Sequence, residues 1–106
     1  VSEGANMPTS RAAVSLFIEA GIAYAPAKAS NAGGVATSQL EMAQNASMQS
    51  WTFKSVDDQL KQIMKGIFIR SNEASKEFGM QGNLVLGANI AGFRRVADAM
   101  IEQGVV

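Results

Sequence analysis

Apolar positions recur at helical spacing most clearly in the second half of the chain. Val56, Leu60, Ile63, Met64 and Ile67 follow one another at intervals of 4, 3, 1 and 3, which lines them along one side of a helix. Ser55 and Asp58 form an S-x-x-D pattern ahead of this stripe and predict the helix start as a capping box. Asp57 and Lys61 lie one helical turn apart on what reads as its solvated side. Gly79 and Gly82 interrupt the pattern. A last helix is predicted from about Leu84 to Gln103, with Val85, Ala88, Phe93, Val96, Ala97 and Met100 on its apolar face and Gly104 as its stop.

The first half is less regular. "VSEGANMP" closes on Pro8, which biases Met7 toward extended geometry. Thr9 and Ser10 offer N-caps for a helix that presents Val14, Phe17 and Ile18, and Gly21 stands where a C-terminal stop belongs. The short apolar run Ile22 to Pro26, "IAYAP", reads as a buried strand ended by its proline. A turn, "KASNAGG", then leads to a helix from about Val35 to Met48. The expected architecture is α/β: two short strands, one helix between them and three after.

Composition narrows the functional classes. Nine basic and nine acidic residues cancel, so no basic stripe marks a nucleic-acid or anionic-membrane partner. With no cysteine and no histidine, a disulfide framework, the usual zinc sites and Cys-His catalysis fall away. The longest nearly uncharged apolar run, Asn83 to Phe93, is about half of a membrane span. No signal peptide is recognisable, so the cytoplasm is the expected location. Charged residues make up 17% of the chain, below the ~25% of an average globular domain. A small domain exposes much of its surface and should carry more charge, which suggests faces meant to pack on further sequence.

Few residues suit chemistry. Around Asn31-Ala-Gly-Gly, two readings stand. One is a Gly-rich connection with a neutral cap. The other is a place where missing Cβ atoms let a flat ligand approach the backbone, with helix-start amides and the hydroxyls of Thr37 and Ser38 nearby. Asn6 is either a turn residue or a ligand contact beyond a strand end. The glycines of "GANIAGF" (87–93) mimic the start of a phosphate loop but lack its Lys-Ser/Thr ending, so close helix packing explains them better. Lys28 is a candidate phosphate or Schiff-base lysine, against the reading of an ordinary solvated lysine. Glu19 and Glu41 have no acid-base partner at helical spacing. No catalytic residue and no metal ligand set emerges.

Taken in order, "EGANMPT" from Glu3, "APAKASNAGGVATSQLEMAQN" from Ala25 and "GANIAGFRRVADAMIEQGV" from Gly87 resemble the C-terminal part of the hexameric NAD(P)-dependent glutamate dehydrogenases. Ala27 and Ser30 stand where other small residues are usual. The resemblance implies that residues 1–106 are the C-terminal portion of a Rossmann-like dinucleotide-binding domain, a single partial domain. It implies reversible deamination of L-glutamate to 2-oxoglutarate and ammonia, with hydride transfer to NAD or NADP, in a cytoplasmic homo-oligomer. Asn6 and Asn31 would lie beside the nicotinamide-ribose end of the cofactor. Val35 would wall the substrate's methylenes, and Ser38 would donate to its side-chain carboxylate. The family's substrate lysines, catalytic aspartate and Gly-rich fingerprint would lie upstream of Val1, so the piece alone is expected to be inactive. The competing expectation is a self-contained, mostly helical interaction module without catalysis.

Overall fold

The structure is a computed structural model and describes residues 1–105. Five helices follow in order: α1 (Arg11–Glu19), α2 (Ala27–Ser30), α3 (Ala32–Ser47), α4 (Phe53–Glu77) and α5 (Leu84–Glu102). Among the described residues there is no strand, only an isolated parallel bridge between Ser2 and Ala25. The expected α/β class, two strands at the end of a Rossmann-like domain, is therefore corrected to an all-helical architecture. The reason is local. The Ala25 N–H donates to the Val1 carbonyl at 2.8 Å and the Glu3 N–H to the Ala25 carbonyl at 3.1 Å. Beyond that pair Pro26 already caps α2, and the other segment turns away, so the ladder cannot lengthen.

Several starts and stops follow the reading of the chain. The Ser10 hydroxyl accepts from the Ala13 N–H at 3.3 Å and caps α1. Gly21, Gly79, Gly82 and Gly104 all take positive φ, as helix stops and turns require. Elsewhere the reading shifts. α4 starts earlier than expected, because Thr52 is the cap and its hydroxyl accepts from the Ser55 N–H at 3.2 Å. Ser55 and Asp58 sit inside the helix, and Asp58 pairs instead with Lys54 at 2.6 Å. Met7 is not extended but has φ +49°, where the chain swings from the bridge toward α1. The turn at "KASNAGG" is itself helical: α2 runs almost directly into α3 through Asn31, which has φ −86° and ψ −3°.

The tightest packing joins α4 and α5. A Cβ on Gly87 would strike the Ser71 carbonyl oxygen and lie 2.8 Å from its carbon. Glycine therefore lets α5 touch the backbone of α4, where Ser71, Ala74 and Ser75 are buried. This accounts for "GANIAGF" as a packing motif. Phe93 and Val96, expected on the apolar face, are instead exposed. At the far end Arg94 reaches back to Glu77 with both guanidinium nitrogens and stacks over the Phe78 ring, 5.4 Å from its centroid. Leu60 and Met64 of α4 face Gly33 of α3. α1 is held by Phe17, whose ring stacks on buried Tyr24 at 5.7 Å.

The core is thin. Its buried apolar residues are Tyr24, Ala27, Ala36 and Ala74, whereas Leu16, Val35, Met42, Phe53, Phe68 and Ile101 are exposed. Accessible surface is 7626 Å², against about 5,700 Å² for a folded monomer of this mass. The radius of gyration is 16.2 Å, where a compact domain of this length has about 13 Å.

Candidate functional site

The bridge organises the region where the candidate residues lie. The buried Glu3 carboxylate accepts from the Ala27 N–H, the first amide of α2, at 2.6 Å. The Tyr24 phenol and the Thr9 hydroxyl also bond to it, and these contacts hold its carboxyl below the usual range despite desolvation. Tyr24 is pushed up in turn, chiefly by burial and then by its bond to the carboxylate. The Ser30 hydroxyl donates to the Glu3 carbonyl. This clasp locks the segment leading to Asn6 onto both ends of α2.

From α2 the chain passes through Asn31 into α3. Asn31, Val35 and Ser38 fall at intervals of 4 and 3, so they share one side of α3 and its entrance. Asn31 is half-buried and its side chain makes no capping bond. Val35 is 74% exposed. The exposed Ser38 hydroxyl donates to the Gly34 carbonyl at 3.3 Å, and Thr37 donates to the Gly33 carbonyl at 2.8 Å. Asn6 is exposed in the bend after the clasp.

The two glycines differ. A Cβ on Gly33 would meet Met64 at 3.6 Å and Leu60 at 3.9 Å, whereas one on Gly34 would meet nothing within 4 Å. Gly33 packs a helix, and Gly34 leaves open space on the Asn31–Val35–Ser38 side of α3. Neither takes positive φ, so the turn conformation expected of them is corrected. Some of the amides at this entrance are already paired. The Ser30, Asn31 and Gly34 N–H groups already donate to the carbonyls of Pro26, Ala27 and Asn31. The stripe offers close approach, an amide and a hydroxyl, and it stands open to solvent rather than enclosed.

A flat amide-bearing ring such as nicotinamide fits one side of this arrangement. Gly34 admits its face, and Asn31 offers a free side-chain amide for its polar edge. No titratable group stands on the stripe. Among the described residues Glu3 is the one buried carboxylate, and its hydrogen bonds are spent on the fold. The sequence held no signal for that role: Glu3 lies in no periodic segment, and its partners come from residues 9, 24 and 27. Among the described residues no cluster of three or more His, Cys, Asp or Glu side chains could hold a metal ion. Among the described residues no helix is long and apolar enough to cross a membrane.

A clasped helix entrance thus leads into an open stripe of Asn31, Gly34, Val35 and Ser38. Comparison with known proteins places the chain in a family. The model of the Glutamate/Leucine/Phenylalanine/Valine dehydrogenase family matches residues 1–104, and the chain belongs to this family. It is 59% identical over 105 residues to the NADP-specific glutamate dehydrogenase of Helicobacter pylori, covering 99% of this chain and 23% of that protein. It is 57% identical to the NADP-specific glutamate dehydrogenase of Escherichia coli K12, covering 100% of this chain and 24% of that one. The crystal structure of Plasmodium falciparum glutamate dehydrogenase superposes with a TM-score of 0.90 at 50% identity, over 95% of this chain and 22% of that one. The chain thus spans about a quarter of the length of these relatives.

Proposed function

We propose that this chain is one partial domain of a longer amino-acid dehydrogenase, which reversibly deaminates L-glutamate to 2-oxoglutarate and ammonia with hydride transfer to NAD or NADP. The observation that carries the reading is the stripe of Asn31, Gly34, Val35 and Ser38, held by the Glu3 clasp in a chain of this family. Both curated relatives compared above are named as NADP-specific, which favours NADP over NAD. The motifs suggest a segment from the last quarter of the enzyme, with most of it upstream of Val1. Cytoplasmic location and assembly into a homo-oligomer, a hexamer by the family resemblance, belong to the same proposal.

When bound, the cofactor supplies the hydride acceptor. In this reading Asn31 and Asn6 orient its nicotinamide-ribose end and Gly34 gives the ring room. Val35 excludes water along the substrate's methylenes, and the Ser38 hydroxyl turns from the Gly34 carbonyl to the substrate's distal carboxylate. The long 3.3 Å bond to Gly34 makes that exchange inexpensive. Proton transfer requires a positioned acid or base, and that group belongs to the remainder of the enzyme.

In the longer protein, Ser38→Ala should raise the KM for glutamate about tenfold or more, the loss of one hydrogen bond to a charged group, while the KM for the nicotinamide cofactor stays within about twofold. Steady-state kinetics with each substrate varied makes the check, and unchanged kinetics for both would overturn the assignment. An upstream reading frame that encodes a G-x-G-x-x-G strand-turn-helix supports the enzyme over a self-contained helical module. A start codon immediately before Val1 supports the module.

A further inference from the structure

A second feature lies away from the Asn31 stripe and is not used by the proposed reaction. α2, α4 and α5 meet along a groove of about 380 Å³. Three cations line it, one from each helix: Lys28, Arg70 and Arg95. Its remaining surface includes Ala88, Ala91 and Gly92, short enough to leave the space between the cations open. A Cβ on Gly92 would meet nothing within 4 Å.

Among the described residues no carboxylate lines this groove. Among the described residues the ion pairs are Lys54–Asp58, Lys61–Asp57 and Arg94–Glu77, so none of the three groove cations is paired. The chain as a whole is neutral, with nine charges of each sign. A third of its cations therefore line one groove, and among the described residues none of its acidic side chains does. Like charges gathered without counter-charge repel one another, and an anion between them relieves that repulsion. Lys28 is also positioned: its ammonium donates to the Asn89 side-chain oxygen, which ties it to α5.

We propose that this groove binds a phosphate-bearing small molecule. Two guanidinium forks and one ammonium match the several oxygens of a phosphate better than the single edge of a carboxylate. The volume falls within the range of small-ligand sites. The site exists only in the folded chain, because its cations are separated by 42 and 25 residues along the sequence (28 to 70, 70 to 95). It is separate from the nicotinamide reading and does not depend on it.

The test uses the longer protein that carries this chain, with inorganic pyrophosphate as the probe and titration calorimetry at low ionic strength as the readout. Binding is expected to weaken at least tenfold in Arg70→Gln/Arg95→Gln, to weaken with added salt, and to persist in Asn31→Ala. Circular dichroism of the double variant should be unchanged, since both arginines are exposed. A refolded or destabilised double variant is replaced by Lys28→Met, for which the same weakening is expected. Absence of binding in the wild-type protein would overturn the proposal, because it would mean that the rest of the enzyme fills the groove. Binding that survives the variants, or that saturating NADP abolishes, would also overturn it by placing the probe in the cofactor site.

Discussion

The residue that does most for the candidate site is one that touches no proposed ligand. Glu3 joins the bridge, α2 and Tyr24 through a carboxylate that must be ionised to accept all its bonds. Its folded pKa is depressed, so its stabilisation is present above the unfolded carboxylate range near 4.3 and is lost as pH falls through the folded value. Tyr24 works in the opposite direction. Its raised pKa favours the neutral phenol, so its contribution holds below about 10 and is lost as pH rises through the folded value. Glu3→Gln should lower the thermal midpoint at pH 7 and flatten the acid limb of a stability–pH profile, measured by circular dichroism. An unchanged acid limb would show that the clasp contributes nothing. Gly34 offers a sharper separation of fold from function. Gly34→Ala fills open space in a helix and should stabilise it by about 0.5–1 kcal/mol. In the longer enzyme the same methyl should weaken cofactor binding, read as a raised KM for NADP alongside a raised midpoint.

At the scale of elements, the contact between α4 and α5 depends on Gly87. Any side chain there meets the Ser71 carbonyl, so the helices must separate or shift. Gly87→Val is expected to cost at least about 2 kcal/mol by overpacking, seen as a lower denaturant midpoint. Gly92→Ala, which faces open space, should change stability by under about 1 kcal/mol, and equal effects of the two would argue against the close contact. Helix periodicity made α4 and α5 readable because the apolar stripe and the glycine stops act within a few residues of one another. It misplaced the start of α4, where the Thr52 hydroxyl takes the cap bond and Ser55 supplies the N–H. It also assigned Phe93 and Val96 to the buried face. An apolar stripe shows that a face needs covering; it does not show that this segment of chain covers it.

For the whole molecule, the excess of surface and the exposed Leu16, Phe53, Phe68 and Phe93 set the expectation. Exposed apolar area on this scale drives association. The isolated 106-residue chain should show a mass that rises with concentration in sedimentation, and glutamate-dependent NAD(P) reduction below detection. A concentration-independent monomer would show that these faces need no partner. Four of the five helices, the glycine stops and the family were determined by the sequence itself, since they rest on local spacing and on contiguous motifs such as "SNAGGVATS"; α2 was read as a turn. The strands were misjudged because "IAYAP" has the character of a buried strand, and whether it pairs depends on what lies beside it. Only the tertiary structure decided that Glu3 is a clasp, that Gly33 packs while Gly34 stays open, and that Lys28, Arg70 and Arg95 share one groove. Each of those facts joins residues far apart in the chain, and no periodicity within a segment carries that information.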